Sequence, residues 1–371
     1  MQLTDPSLIV LLALLALAAF VLLVAGWPRW RRKSMQVVTR AVQAITVNVL
    51  VIALCGVLLN NQYLFYSSWG DLVASGSPSV TQHHGGGAAA VVSARVKGPG
   101  LSGIQTPAAL PPLAQPGSRM QDYTAVGARS KSRGQVLVYL PVGYDPRSSH
   151  AYPVIMGLHG YPSAPKGFVR LNFLSAIDSL TAQHKMTPTI VVIPRIDTPA
   201  TLDTECVNGG QGQPQTDTWL SNDIPAWAAA HFHIQTKRTS WAAVGYSYGA
   251  WCAASITMRH PDVFGAAISM TGYFRPRFSP GYNPLTRATR GGYDLVALAH
   301  QNPPPVALWV LASREDHGSF PTTDAFLRGA RRPLDVTSTV LDHGGHHNSL
   351  FTPYVPEALR WLANTLPGFR G

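Results

Sequence analysis

An α/β fold, with a mostly parallel central sheet and helices on both faces, preceded by two transmembrane helices, is what the sequence predicts. Three observations predict it. Residues 131–371 repeat short continuous apolar runs separated by helix-forming stretches, the pattern of parallel strands buried on both faces. Within that region Gly245, Tyr246, Ser247, Tyr248 and Gly249 form a GxSxG sequence between an apolar run and a helix-forming run. Ahead of it, residues 8–26 and 41–59 carry no charged side chain, and each is long enough to cross a hydrocarbon core about 30 Å thick.

The first 69 residues are therefore expected to be a membrane anchor. Met1 to Ser7 carries Asp5 and no lysine or arginine, unlike the basic start of a cleaved signal peptide, so the first span is expected to stay. Arg29, Arg31, Arg32, Lys33 and Arg40 lie between the spans, and short basic loops stay in the cytoplasm. This places loop 28–40 inside, and the N-terminus and the larger domain outside. Trp27, Trp30, Tyr63, Phe65, Tyr66 and Trp69 suit the two interfaces. Gln43, Thr46 and Asn48 are expected to pack against the first helix, and Cys55 to be a small packing residue.

Residues 70–130, rich in Gly, Ala, Ser and Pro with a triple glycine at 85–87, read as a tether, part of which could pack as an extra strand. His83 and His84 lack further ligands at metal-binding spacing, so a solvated linker is expected there.

The strands and helices of the third region, 131–371, follow in order. Strands are expected at 136–141, Val154–Leu158, 189–193, 241–244, 264–270, 306–312 and 337–341. A helix over Tyr248–Arg259 is ended by His260 and Pro261, and a last helix covers 356–365. Serine on a sharp strand-to-helix turn is a nucleophile in waiting, and only small flanking residues let neighbouring strands approach it. Ser247 is that candidate. Its hydroxyl needs an imidazole to take the proton and a carboxylate to fix the imidazole's tautomer. Asp316, in the loop after 306–312, is the preferred acid, with Glu315 second. His346 is the preferred base, with His347 second. Backbone N–H groups of Tyr161 and Tyr248 are the expected oxyanion donors. His159, before a glycine at a strand end, reads as a loop brace rather than a base.

These residues resemble the esterase D-like branch of the α/β-hydrolases, which includes S-formylglutathione hydrolases, feruloyl esterases and the mycolyltransferase antigens of actinobacteria. The resemblance covers about residues 130 to 371 and rests on the 136–141 strand with Gly143, Tyr144, Asp145 and Pro146, the His159–Gly160 loop, the elbow, and Gly344, Gly345 and His346. In that family the base follows a glycine pair, with an aromatic residue five positions later and often a proline at seven. Phe351 and Pro353 fit that register from His346. A second histidine at 347, and Ser313 where many members carry glycine, depart from the pattern. The resemblance implies the α/β-hydrolase fold and an ester-acting serine enzyme that needs no metal or organic cofactor.

Formal charge is +11, and five basic residues against Asp5 in the first 60 positions leave +7 for the outward part, which suits anionic lipid or polymer. No basic stripe with interleaved aromatics points to nucleic acid. Cys252 lies five residues after Ser247, and Cys206 lies in the loop after 189–193. Sheet neighbours would bring them close, so a disulfide is expected, with two buried thiols as the alternative. Residues 272–305 have the length of a loop that caps a site, where Arg275 and Arg277 either hold a phosphate or carboxylate of the substrate or form a solvated surface, while Tyr246, beside Ser247, either lines the acyl pocket or packs beneath the loop.

The expected function is a membrane-tethered serine esterase acting on an ester of a lipid or of the cell envelope. Acyl transfer to an envelope sugar or lipid alcohol is the near alternative, and a noncatalytic envelope-binding module is the alternative of another class. No residue signature names the acyl chain, the alcohol or the oligomeric state.

Overall fold

A computed structural model describes residues 3–25, 33–63, 66, 69–73, 80–83, 88–94, 96–101, 104, 107, 109–200 and 202–371. Trp27, Trp30, Phe65, Arg29, Arg31, Arg32, the glycines at 85–87 and His84 lie outside the described residues, as do the side chains of Lys33 and Tyr63. Two compact units are present: Met1–Ser79 with Arg314–Asp316 and Asp342–Leu350, and Val80–Ser313 with His317–Leu341 and Phe351–Gly371.

The first unit contains helices α1 (Pro6–Ala25), α2 (Lys33–Tyr63) and the short α3 (Trp69–Leu72). Helices α1 and α2 are long and apolar enough to span a membrane. Leu8, near the start of α1, packs with Val57, near the end of α2, so the two run as an antiparallel hairpin. Along α2 the less exposed positions include Gln43, Val47, Leu50, Leu54, Val57 and Asn60, a three-and-four spacing that turns one stripe to α1, with Ala44 beside it. Thr46 and Asn48 sit off that stripe, which corrects the expected packing role. Their side chains donate instead to the helix's own carbonyls, Thr46 to Val42 and Asn48 to Ala44, each at 2.9 Å. Cys55 also falls off the stripe and is exposed.

Nine strands among the described residues of the second unit form one sheet: β1 (Val80–His83), β2 (Met120–Val126), β3 (Arg133–Tyr139), β4 (Val154–Leu158), β5 (Ile190–Pro194), β6 (Trp241–Tyr246), β7 (Ala266–Met270), β8 (Ala307–Ser313) and β9 (Asp335–Leu341). Their order is β1-β9-β8-β7-β6-β4-β5-β3-β2. The six from β9 to β5 run parallel, while β3 with β5, β2 with β3, and β1 with β9 pair antiparallel. This is the α/β-hydrolase fold. Strands β4 to β8 are buried apart from Tyr246 at the end of β6, which is why they read as unbroken apolar runs rather than as alternation.

Successive residues face opposite sides of the sheet. Val154, Met156, Ala243 and Leu308 join Trp251 and Phe326 in one core. On the opposite face Gly157 leaves room for the Phe168 ring, which an added Cβ would meet at 2.7 Å, and Phe168 stacks on Phe173 at 4.7 Å. Residues 80–83 and 120–126, read as part of a tether, are the two edge strands of this sheet. Residues 272–305 are anchored by buried Phe274, Leu285, Tyr293 and Leu295, with Phe274 stacked on Phe326 at 3.8 Å.

Candidate active site

Ser247 follows β6 and begins α4 (Tyr248–Arg259) at φ 56°, ψ −127°. An L-residue rarely adopts such a backbone, and it persists only where surrounding contacts enforce it. Here the Ser247 N–H donates to the Met270 carbonyl at 2.9 Å, while the Ser247 carbonyl accepts from Ala250 and Trp251. The flanking glycines are steric necessities. A Cβ at Gly245 would lie 2.1 Å from the Gly249 carbonyl oxygen, and one at Gly249 would lie 2.2 Å from that of Leu158 and 2.5 Å from that of His159. Helix α4 thus packs directly on the end of β4.

That strand end carries the loop expected to supply an oxyanion donor. His159 is fully buried, its Nδ1 is 2.7 Å from the Gly160 carbonyl and its Nε2 accepts from the Ile196 N–H at 3.3 Å. Only the neutral Nδ1–H tautomer satisfies both contacts. Burial also lowers its pKa, in keeping with that tautomer, and Asp197, 3.8 Å from Nε2, pairs with Arg195 at 3.0 Å. His159 therefore braces the loop, and the adjoining Tyr161 ring lies 5.6 Å from that of Tyr248. Tyr248 opens α4, where a backbone N–H has no acceptor within the helix. Its side chain is buried, with the hydroxyl 3.2 Å from that of Thr204, so its outward-facing chemistry is confined to the backbone. Half-buried Tyr246 stacks on Phe351 at 5.5 Å and touches the Gly160 turn.

The loops after β8 and β9, in the other unit, meet each other. His346 Nδ1 lies 2.8 Å from Asp316 Oδ2, and the aspartate is buried while 18% of the histidine side chain is exposed. A carboxylate on Nδ1 fixes the tautomer that leaves Nε2 to exchange a proton. Glu315 is engaged otherwise: it accepts from the Gly344 N–H at 2.9 Å and contacts His343 Nδ1 at 3.1 Å, a contact that raises the His343 pKa. His347 has both ring nitrogens occupied, Nε2 by Asp71 at 2.8 Å and Nδ1 by Ser349 Oγ at 2.6 Å. The two histidines thus have different chemistry despite being adjacent in sequence.

Cys206 and Cys252 form a disulfide, with Cα atoms 5.6 Å apart, tying α4 to the loop after β5. The same loop holds fully buried Glu205, which accepts from the Tyr273 hydroxyl at 2.6 Å. Burial, reinforced by Asp203, pushes the Glu205 carboxyl well above its ordinary range. Arg275 pairs with Asp294 at 2.9 Å, and Arg277 donates to the Gly318 carbonyl at 2.6 Å, so both candidate pocket cations have protein partners. Among the described residues no three His, Cys, Asp or Glu side chains converge as a metal-binding group. Sequence reasoning missed Glu205 and Asp71. The first sits beside a cysteine already singled out, and the second has no distinguishing neighbour in a segment of tether-like composition.

The esterase family model matches residues 127–364, more than half of the chain. Among curated proteins, the chain is 41% identical to the MPT51 antigen of Mycobacterium leprae over 76 residues, 19% of this chain and 23% of that protein. It is 30% identical over 108 residues to the diacylglycerol acyltransferase/mycolyltransferase Ag85B of Mycolicibacterium smegmatis, covering 28% of this chain and 32% of that one. The chain thus spans about a third or less of the length of the curated relatives it matches. Among solved structures, an S-formylglutathione hydrolase from Agrobacterium tumefaciens superposes with a TM-score of 0.55 at 16% identity, over 67% of this chain and 95% of that one. A ferulic acid esterase does so with the same score at 18% identity, over 67% and 98%. At such identities the structural likeness speaks for the fold.

Proposed function

The chain belongs to the esterase family, and from that premise we propose that it is a membrane-anchored, extracytoplasmic serine esterase hydrolysing a carboxylic ester of a lipid or cell-envelope component through an acyl-enzyme. The observation that carries this reading is the 2.8 Å contact between His346 Nδ1 and Asp316 Oδ2, which prepares one particular imidazole for proton transfer. Strands β6, β8 and β9, which lead into Ser247, Asp316 and His346, are parallel members of one sheet, and the carboxyl ends of such strands are where α/β folds build their sites.

In the proposed reaction the Ser247 hydroxyl oxygen attacks the ester carbonyl carbon as His346 Nε2 takes its proton. Asp316 holds the resulting imidazolium, and the backbone N–H groups of Tyr161 and Tyr248 receive the negative oxygen of the tetrahedral intermediate. Collapse breaks the C–O bond, and the leaving alcohol takes the proton from His346. Water then attacks the acyl-enzyme by the same route in reverse, releasing the acid and restoring the serine. Helices α1 and α2 support the anchor, and the net charge of +7 beyond residue 60 suits anionic envelope material. In this reading loop 28–40 is cytoplasmic.

Labelling of the detergent-solubilised chain by a fluorophosphonate, lost in Ser247→Ala, tests the nucleophile. A chain that keeps its fold and never labels would overturn the reading in favour of a noncatalytic binding module. A second reading, acyl transfer to an envelope sugar or lipid alcohol, is favoured by the similarity to Ag85B. Both begin with the same acyl-enzyme, so the partition of product between free acid and acylated alcohol, measured with added sugars or lipid alcohols, separates them.

A further inference from the structure

The loop that carries His346 is held by a residue far away in sequence. Asp71, in the short helix α3 that follows the second apolar helix, accepts from the Gly345 N–H at 2.8 Å through Oδ2. Its Oδ1 lies 2.8 Å from His347 Nε2. Only 9% of the Asp71 side chain and 12% of the His347 side chain are exposed. On the other side of the ring, His347 Nδ1 meets Ser349 Oγ at 2.6 Å. Tyr66 stacks on the same imidazole, 5.0 Å between centroids and 29° between planes. Tyr66 is itself fixed to the end of α2, its N–H donating to Asn60 Oδ1 at 2.8 Å and its carbonyl accepting from Asn60 Nδ2 at 2.9 Å.

These contacts bracket one residue. Asp71 grips position 345 by its N–H and position 347 by its side chain, and His346 lies between them with its Nδ1 on Asp316. A proton acceptor displaced by about 1 Å can lose about 100-fold in rate, so what fixes the backbone on both sides of an imidazole bears on the chemistry. A carboxylate accepting two hydrogen bonds in a poorly solvated place gives a stiffer hold than a solvated loop would. It also occupies His347 Nε2, which removes the neighbouring imidazole from competition for the nucleophile's proton.

We propose that Asp71 is a positioning residue for the base His346, so that the segment following the second apolar helix is a working part of the catalytic loop and not only a connector. The inference rests on the reading of His346 as the base. It assigns Asp71 no contact with substrate: its effect passes through Gly345 and His347. Loss of the carboxylate then slows the chemical steps and leaves ester binding alone. Asparagine keeps an acceptor for the Gly345 N–H, and its amide group can donate to His347 once that ring takes the Nδ1–H tautomer toward Ser349, so Asn should restore much of what Ala loses.

The test uses the full chain in detergent, with a p-nitrophenyl ester whose hydrolysis is followed alongside fluorophosphonate labelling of Ser247. For Asp71→Ala, kcat is expected to fall by about 10- to 100-fold with KM within about twofold of the parent. Asp71→Asn should recover most of that loss. His347→Ala should reproduce part of it, and the double variant Asp71→Ala/His347→Ala should be no worse than Asp71→Ala alone, because residues acting as one unit are not additive. An unchanged kcat in Asp71→Ala overturns the inference, as do equal losses in Asp71→Ala and Asp71→Asn or strict additivity with His347→Ala. If Asp71→Ala does not fold, His347→Ala decides: a fall in kcat with KM within about twofold of the parent supports the inference, and an unchanged kcat overturns it. Failure of the unaltered chain to label at Ser247 overturns the triad and this inference together. Normal labelling with an indifferent Asp71 overturns this inference alone.

Discussion

Replacing Ser247 by glycine is expected to leave a more stable protein than replacing it by alanine, although both remove the proposed nucleophile. The reason is the elbow backbone at φ 56°, ψ −127°. Holding a residue with a Cβ in such a sparsely populated region costs about 1–3 kcal/mol, and glycine is spared that cost. Against this stands the greater freedom of glycine in the unfolded chain, worth about 0.4–1 kcal/mol. The balance is about 1 kcal/mol in favour of Ser247→Gly. Ser247 makes no side-chain capping bond to α4, and both variants lose its hydroxyl equally, so neither term enters the comparison. For a domain of 150–250 residues, 1 kcal/mol corresponds to about 2–4 °C in Tm. Thermal and urea unfolding of the two variants under identical detergent conditions measure it, with circular dichroism and tryptophan fluorescence as probes. Equal midpoints, or a more stable Ser247→Ala, would refute the claim that backbone strain is stored at Ser247.

Three further outcomes follow from the site. His346→Ala is expected to lower kcat by about 10⁴- to 10⁶-fold and Asp316→Asn by about 10⁴-fold, whereas Glu315→Gln should stay far closer to the parent; steady-state ester hydrolysis checks the ranking. Replacing Cys206 and Cys252 by serine frees a 46-residue separation and should cost about 2–4 kcal/mol, read as a shift in urea midpoint that dithiothreitol reproduces in the parent. Glu205, whose carboxyl is raised above its ordinary value of 4.5, disfavours the folded state once the unfolded chain ionises and the folded chain does not. Stability from this group is therefore fully present below pH 4.5 and declines as pH rises above it. Glu205→Gln should gain stability relative to the parent between acid and neutral pH, and a gap that stays constant across that range would sink the assignment.

The parallel half of the sheet was legible because strands buried on both faces must be apolar throughout, and the runs over β4 to β8 announce themselves without any partner in view. The elbow was legible for a steric reason, since Gly245 and Gly249 each occupy a place where a Cβ would strike backbone. What stayed hidden depends on pairing across long separations. Strand β1 looks like a polar fragment until it meets Ser338–Leu341, and β2, with its alternating exposure, becomes a strand by lying against β3. Thr46 and Asn48 looked like interhelical polar contacts, yet each satisfies itself on its own helix. Asp71 carries no spacing or motif that could tie it to residues more than 270 positions away.

The edge strands carry a practical lesson for recombinant work. A soluble fragment starting at residue 131 would discard both β1 and β2, baring the backbone donors and acceptors of β9 on one flank and of β3 on the other. Unsheathed ladders of that kind invite copies of a protein to zip together side by side. Such a fragment should precipitate or associate even though every residue of the Gly245–Gly249 elbow is intact, while one beginning at Val80 keeps the native edge strands β1 and β2 in place.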